Sequence, residues 1–239
     1  MSRRRNLVVG WALAIVAISL FVHLGLWQAR RAVEKQAMLD AAAQVQQARR
    51  TLPLTAANDP TRKRDYDWVA GGGEFDARGP LWLDNQQRNG RNGVREYRIF
   101  VPDGGTPLLV DLGWQPLAGN RKLPGATTLS GRYELRGLLA PQPSTGIALG
   151  DGIVRQGESW LLTRIELVAI AANTGLSTPL APRVLRLDPA LPIGHERDLE
   201  LLANTLPPEK HRAYSWQWFA LALAVFATAT ILTFRKARP

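Results

Sequence analysis

Two stretches of this chain are apolar almost without interruption. Leu7 to Trp27 reads LVVGWALAIVAISLFVHLGLW, with no formal charge beyond what His23 carries when protonated. As a helix it covers roughly 31 Å, about the thickness of a bilayer's hydrocarbon core. Trp11 and Trp27 sit near its ends, where amphipathic rings prefer the membrane interface. Trp216 to Phe234 is the second such run, closed by Arg235, Lys236 and Arg238. The pattern predicts two transmembrane helices near the chain ends.

Between them the pattern changes twice. From Gln28 to about Arg50 it stays helical, rich in Ala, Gln, Arg and Glu with no Gly or Pro, and Ala32, Val33, Met38, Ala42 and Val45 make a thin apolar face. This reads as a stalk or surface helix that Thr51-Leu52-Pro53 ends. Short β-prone runs follow at spacings of roughly ten residues. They are Tyr66–Val69 leading into Gly71–Gly73, Leu81–Leu83, Tyr97–Val101, Leu108–Leu112, Thr127–Leu139, one after the turn-rich Gly146–Gly152, and Val184–Leu187. QRNGRNG carries two Asn-Gly hairpin signals. WLLTRIELVAIAANTGL predicts a helix with Ile165, Val168, Ala169 and Ala172 on one face and Gly175 as its C-cap. HERDLELLANTLPPEK predicts a brief polar helix.

The expected class is therefore a membrane protein: two transmembrane α-helices flank a β-rich extracytoplasmic domain, an antiparallel barrel or sandwich with one or two short helices. The expected layout is a cytoplasmic tail over 1–6, the first span over 7–27, a helical stalk over 28–50 and a β-rich periplasmic domain over 51–205. A membrane re-entry segment over 206–215, the second span over 216–234 and a cytoplasmic tail over 235–239 complete it. Arg3, Arg4 and Arg5 at one end, with Arg235, Lys236 and Arg238 at the other, favour cytoplasmic termini by the positive-inside rule. No small-x-small cleavage site follows the first run, so it reads as an uncleaved anchor. A bacterial inner membrane is expected rather than an organellar one.

Composition narrows the chemistry. The net charge of +10 suits anionic lipid or acidic partners, but the Arg residues are spread along the chain and no nucleic-acid motif accompanies them. The absence of Cys excludes disulfides, thiolate metal sites and thiol nucleophiles. No P-loop and no Gly-x-Ser-x-Gly elbow occurs. Asp65 and Asp67 read as a solvated turn. No catalytic residues are expected.

Three histidines remain: His23, His195 and His211. His195 reads as a loop residue. His23 lies inside the first span, where an ionisable group is a functional-site hypothesis; hydrogen bonding to the partner helix is its blander role. His211 stands one helical turn before the second span, with Tyr214 and Trp218 three and seven residues on, on one predicted face. Such a His can ligate a haem iron beside flat aromatic surfaces. It can equally be an interfacial anchor.

Three segments resemble the surfeit locus protein 1 family. LGLWQARRAVEK resembles its entry motif, with Gly25, Trp27, Gln28, Arg31 and Lys35 in place. VPDGGTPLLVDLGWQP is similar to its segment of apolar strand, Gly-Trp and Pro, although Leu112 stands where the family usually has Arg. HRAYSWQWFALA is similar to its second-span entry, with His211, Tyr214, Gln217, Trp218 and Phe219.

The resemblance implies a non-enzymatic assembly factor for cytochrome c oxidase that helps to place haem a in the catalytic subunit. It implies His211 as the transient metal ligand, with Tyr214 and Trp218 covering the ring and Arg31, Lys210 or Arg212 pairing with the propionates. The implied partners are the oxidase's catalytic subunit, haem a synthesis proteins and the membrane. The oligomeric state stays open. Two rivals remain: a scaffold that stabilises an assembly intermediate without binding haem, and a membrane-tethered enzyme with a polar cleft.

Overall fold

The structure is a computed structural model that describes residues 3–119, 121–143, 150–201 and 205–235. Lys236 and Arg238 lie outside the described residues, as does most of the Gly146–Gly152 turn. The chain divides into two units, Met1–Asp40 with Thr205–Pro239, and Ala41–Asn204.

The first unit is an antiparallel helix pair. Helix α1 is continuous over Arg3–Ala48, its last turns belonging to the second unit. Helix α3 spans Pro208–Phe234. Pro207 and Pro208 open α3, where a missing N–H costs nothing and a fixed φ favours the first turn. Both helices are long and apolar enough to cross a membrane, and only 6% of the apolar window of each is buried within the protein. A soluble core helix would be covered by its own chain; these are left for lipid.

The second unit is a mixed β-sheet with few helices. Its strands are β1 (Thr51–Pro53), β2 (Asp67–Phe75), β3 (Leu81–Arg88), β4 (Arg91–Pro102), β5 (Leu108–Pro116), β6 (Arg132–Pro141), β7 (Ile153–Gln156), β8 (Ser159–Leu162) and β9 (Arg183–Leu187). The order is β1-β2-β6-β9-β5-β4-β3-β8-β7, and β2 pairs also with β4. Pairings thus run in a cycle from β2 through β6, β9, β5 and β4 back to β2. Antiparallel pairing was expected throughout, yet β1–β2, β3–β8 and β5–β9 are parallel. Parallel neighbours are distant in sequence, and no local turn signal announces them.

The cycle buries most of its strands on both faces. Leu108, Val110 and Leu112 of β5 join one core cluster with Val69, Phe100, Leu135, Leu139, Leu185 and Leu187. Leu109, one residue out of phase, joins another with Tyr97, Ile99 and Val184. Trp68, Leu138 and Ala140 face a third, with Ala42 of α1. This is why LLVDL and GLLA read as apolar runs rather than alternating ones.

Local signals fared unevenly. Asn89 and Gly90, both at positive φ, make the tight β3–β4 turn. The second Asn-Gly pair instead lies within β4, where Asn92 and Gly93 face Gln87 and Gln86. The helix predicted around residues 160–176 is shorter: Ser159–Leu162 is β8, and α2 spans Leu167–Thr174. Its buried residues are Leu167, Ile170 and Ala171, with Ile165 just before it buried as expected, whereas Val168 is 86% exposed and Ala172 exposed, so the rest of the predicted face turns away from the core. Gly175 caps it in the left-handed conformation, as read. Residues 195–201 form no helix; Glu196 instead bridges to Trp114 of β5, and residues 202–204 lie outside the described set. Asp67 is not solvated: it is 6% exposed and paired with the fully buried Arg183 at 2.6 Å.

Candidate functional site

The α1–α3 seam follows a repeat of alternating four- and three-residue steps. On α1 the covered positions include Trp11, Ala14, Ile18, Phe21, Gly25, Gln28 and Ala32. On α3 they include Pro208, His211, Ser215, Trp218, Ala222, Val225 and Ala229. This is the spacing by which two helices keep one face in contact. Lipid offers no hydrophobic drive between helices, so small residues and polar bonds must hold the pair. Ala14 and Ala222 are buried in it. Trp11 Nε1 donates to Thr233 Oγ1 at 2.9 Å, and Ser215 Oγ donates to the Gly25 carbonyl at 2.9 Å. Gly25 leaves room for the Phe219 ring: a Cβ there would stand 2.7 Å from its Cε1, so the ring would have to shift.

One step along the repeat, Gln28 faces His211. His211 Nδ1 lies 2.7 Å from Gln28 Oε1, and His211 is 7% exposed. Half-buried Trp218 stacks on Phe21, with ring centroids 5.6 Å apart and planes at 29°. Tyr214 is 40% exposed and lies off the seam, where Ser215 holds the covered position. The structure therefore brings His211 and Trp218 to one seam and leaves Tyr214 on its flank. His23 is exposed and off the seam, so it makes no two-His clamp with His211.

Cations surround this end of the pair. Arg31 pairs with Glu34 at 2.8 Å, Arg212 donates to Gln36 Oε1 at 3.0 Å, and Lys35 donates to Thr205 Oγ1 at 3.2 Å. Arg30 and Lys210 are exposed. Gln28, Ser215 and Phe21 were not read as site residues. The four-three spacing was the signal that would have placed them opposite one another.

A second polar centre lies in the β unit. Glu96 of β4 is 0% exposed; it accepts from Thr127 N at 3.0 Å and Thr127 Oγ1 at 2.8 Å, and lies 2.5 Å from His195 Nε2. Gln115 also approaches His195 Nε2 at 2.8 Å, and Trp82 stacks on the imidazole. His195 is indeed in a loop, but a pinned one: its N–H donates to the Leu112 carbonyl and Trp114 N donates to Glu196 O, both at 2.8 Å. Arg88 clasps the same loop through Glu196 and Asp198. Burial alone would push the Asp198 carboxyl up, but Arg88 and the Glu200 N–H hold it below its ordinary value. Burial pushes the Tyr97 phenol up, and the nearby Asp111 charge adds to it.

This constellation does not fit a catalytic triad. A triad uses both imidazole nitrogens, one for the acid and one for the nucleophile. Here Glu96 and Thr127 both converge on Nε2. The group ties a loop to the Gly113-Trp114 segment. Among the described residues no three His, Asp or Glu side chains form a metal-binding group.

The model of the SURF1 family matches residues 15–223, from within the first apolar run, through the β unit, past His211. The chain belongs to the SURF1 family. No curated protein shows a significant match to it. SURF1 proteins form a family of assembly factors rather than catalysts, and membership is consistent with a role in cytochrome oxidase assembly. The matched span holds both halves of the Gln28–His211 contact and the Gly113-Trp114 segment.

Proposed function

We propose that this SURF1 protein assists the assembly of cytochrome c oxidase by handling haem a as cargo on its way to the catalytic subunit. His211 is the transient iron ligand in this reading. The observation that carries it is a covered imidazole between two membrane-length helices, with one ring nitrogen held by an amide oxygen. Histidines that bind metals generally engage their second nitrogen in this way. Trp218 and the exposed Tyr214 supply flat apolar surface, and Arg31, Lys210 and Arg212 are the partners for the propionates. Ligation from one side only leaves the haem free to depart. The partners in this reading are the catalytic subunit and haem a synthesis proteins. The setting is a bacterial inner membrane with cytoplasmic termini and the β unit on the periplasmic side.

A second reading is a scaffold that binds no haem. The low exposure of His211 favours it, because it leaves little of the imidazole open to a ligand. The deciding experiment is an absorption spectrum of the detergent-purified protein, co-expressed with haem a synthesis, beside His211→Ala. A reduced haem a band lost in the variant supports the carrier. A colourless wild type, in cells whose oxidase still needs the protein, refutes the carrier and leaves the scaffold. A coloured variant refutes His211 as the ligand.

A further inference from the structure

The height and rotation of the helix pair around His211 are set by neighbours that are not part of any ligand set. Ser215 Oγ bonds the Gly25 carbonyl at 2.9 Å, and Phe219 packs where Gly25 has no side chain. These contacts bring Gln28, three residues beyond Gly25, opposite His211, four residues before Ser215. The imidazole then meets an amide oxygen, at 2.7 Å from Nδ1.

An amide oxygen only accepts, so with Gln28 Oε1 as its partner Nδ1 is the nitrogen that donates and carries the proton. A neutral imidazole has one N–H and one lone pair. If Nδ1 holds the proton, Nε2 holds the lone pair, and only a lone pair can bind a metal. We propose that Gln28 is a positioning residue: it locks His211 as the Nδ1–H tautomer and so makes Nε2 the nitrogen that meets the haem iron. This rests on the haem reading of His211 and adds a residue to it. Gln28 touches neither iron nor porphyrin; it acts through the imidazole. It also explains why a histidine and a glutamine from opposite ends of the chain face each other beside the two spans, where a covered, unmatched amide would be costly.

The test starts without haem. Full-length protein labelled with ¹⁵N-histidine is placed in lipid nanodiscs, where three imidazoles give resolvable signals. His211→Ala assigns the His211 signal, and the His195 signal reports that the β unit is folded. The wild type is expected to carry its His211 proton on Nδ1. Gln28→Leu is expected to move that proton largely to Nε2, while Gln28→Glu, which keeps an acceptor, leaves it on Nδ1. A wild-type proton on Nε2, or a Gln28→Leu spectrum unchanged at His211, overturns the proposal.

Ferric haem is then titrated into the same samples by absorption. Loss of the supporting contact is expected to weaken binding at least tenfold in Gln28→Leu, with Gln28→Glu retaining it. His211-dependent binding that Gln28→Leu leaves intact refutes the role of Gln28 and keeps the haem reading. A wild type with the expected tautomer that binds no haem refutes the haem reading, and with it the purpose assigned to Gln28.

Discussion

Gly113→Ala tests how tightly the Gly-Trp segment is held. Gly113 has φ of +115°, and a Cβ there would stand 2.8 Å from the His195 carbonyl oxygen and 2.9 Å from that of Glu196. Neither oxygen can simply step aside. The Glu196 oxygen accepts from Trp114 N at 2.8 Å, and the His195 oxygen from Arg197 Nη1 at 3.1 Å. The backbone strain of an L residue in this region costs about 1–3 kcal/mol. Moving the loop off Trp114 gives up a further ~1 kcal/mol for each backbone bond broken. Together the loss is on the order of 3–5 kcal/mol.

Gly104→Ala is the control. Its φ is +63°, but nothing lies within 4 Å of its would-be Cβ, so it loses only the conformational part. That part is about 1–2 kcal/mol. At roughly 2–4 °C per kcal/mol for a unit of this size, Gly113→Ala should lower Tm by about 6–20 °C and Gly104→Ala by about 2–8 °C. Thermal unfolding of the full-length protein in detergent, followed by near-ultraviolet circular dichroism, measures both. If Gly113→Ala melts no lower than Gly104→Ala, the loop is not seated against this strand as described.

Other outcomes follow from buried charges. Arg183→Met should cost about 1–3 kcal/mol in denaturant unfolding, because the buried Asp67 carboxylate keeps only Arg62, at 2.6 Å, and the Ala56 carbonyl loses its donor. Arg183→Met combined with Asp67→Leu should lose clearly less than the sum of the single variants; simple additivity would contradict the pairing. Burial pushes the Asp188 carboxyl up, but its bonds from Arg136 and the Ala190 N–H, with the Arg136 and Arg49 charges, hold it below its ordinary value. A depressed folded pKa gives stability that is present above the ordinary carboxylate range and fades as pH falls through the folded value. The stability gap between wild type and Arg136→Met should therefore be constant near neutrality and close at the acid end. A gap that persists at low pH would assign the effect to packing of the Arg136 stem.

The apolar spans were legible because twenty residues without charge have few other solutions in water. The β-rich middle was legible from strand length and turn residues, but its pairing was not. LLVDL announces a strand buried on both faces without naming its neighbours, and β9 meets β5 in parallel from far along the chain, Leu109 facing Val184. The helix after β8 shows the limit of short periodic patterns: in eight residues, a misplaced face puts Val168 inward when it is exposed. His211 stood out as a rare ionisable group beside a span. Its partner Gln28 stood in the entry motif, but the motif does not name what it faces; only the four-three spacing of the two helices does.

The sequence by itself determined what each segment must avoid or seek: two runs that water cannot solvate, a turn where Asn-Gly permits positive φ, and a glycine cap at Gly175. These are local consequences of side-chain polarity and backbone sterics, and they need no partner. Only the tertiary structure decided which groups meet. Antiparallel register between helices far apart in the chain set Gln28 against His211, and sheet pairing set Glu96 against His195. Each of these contacts depends on the height and rotation of a second element, which no single stretch of sequence encodes.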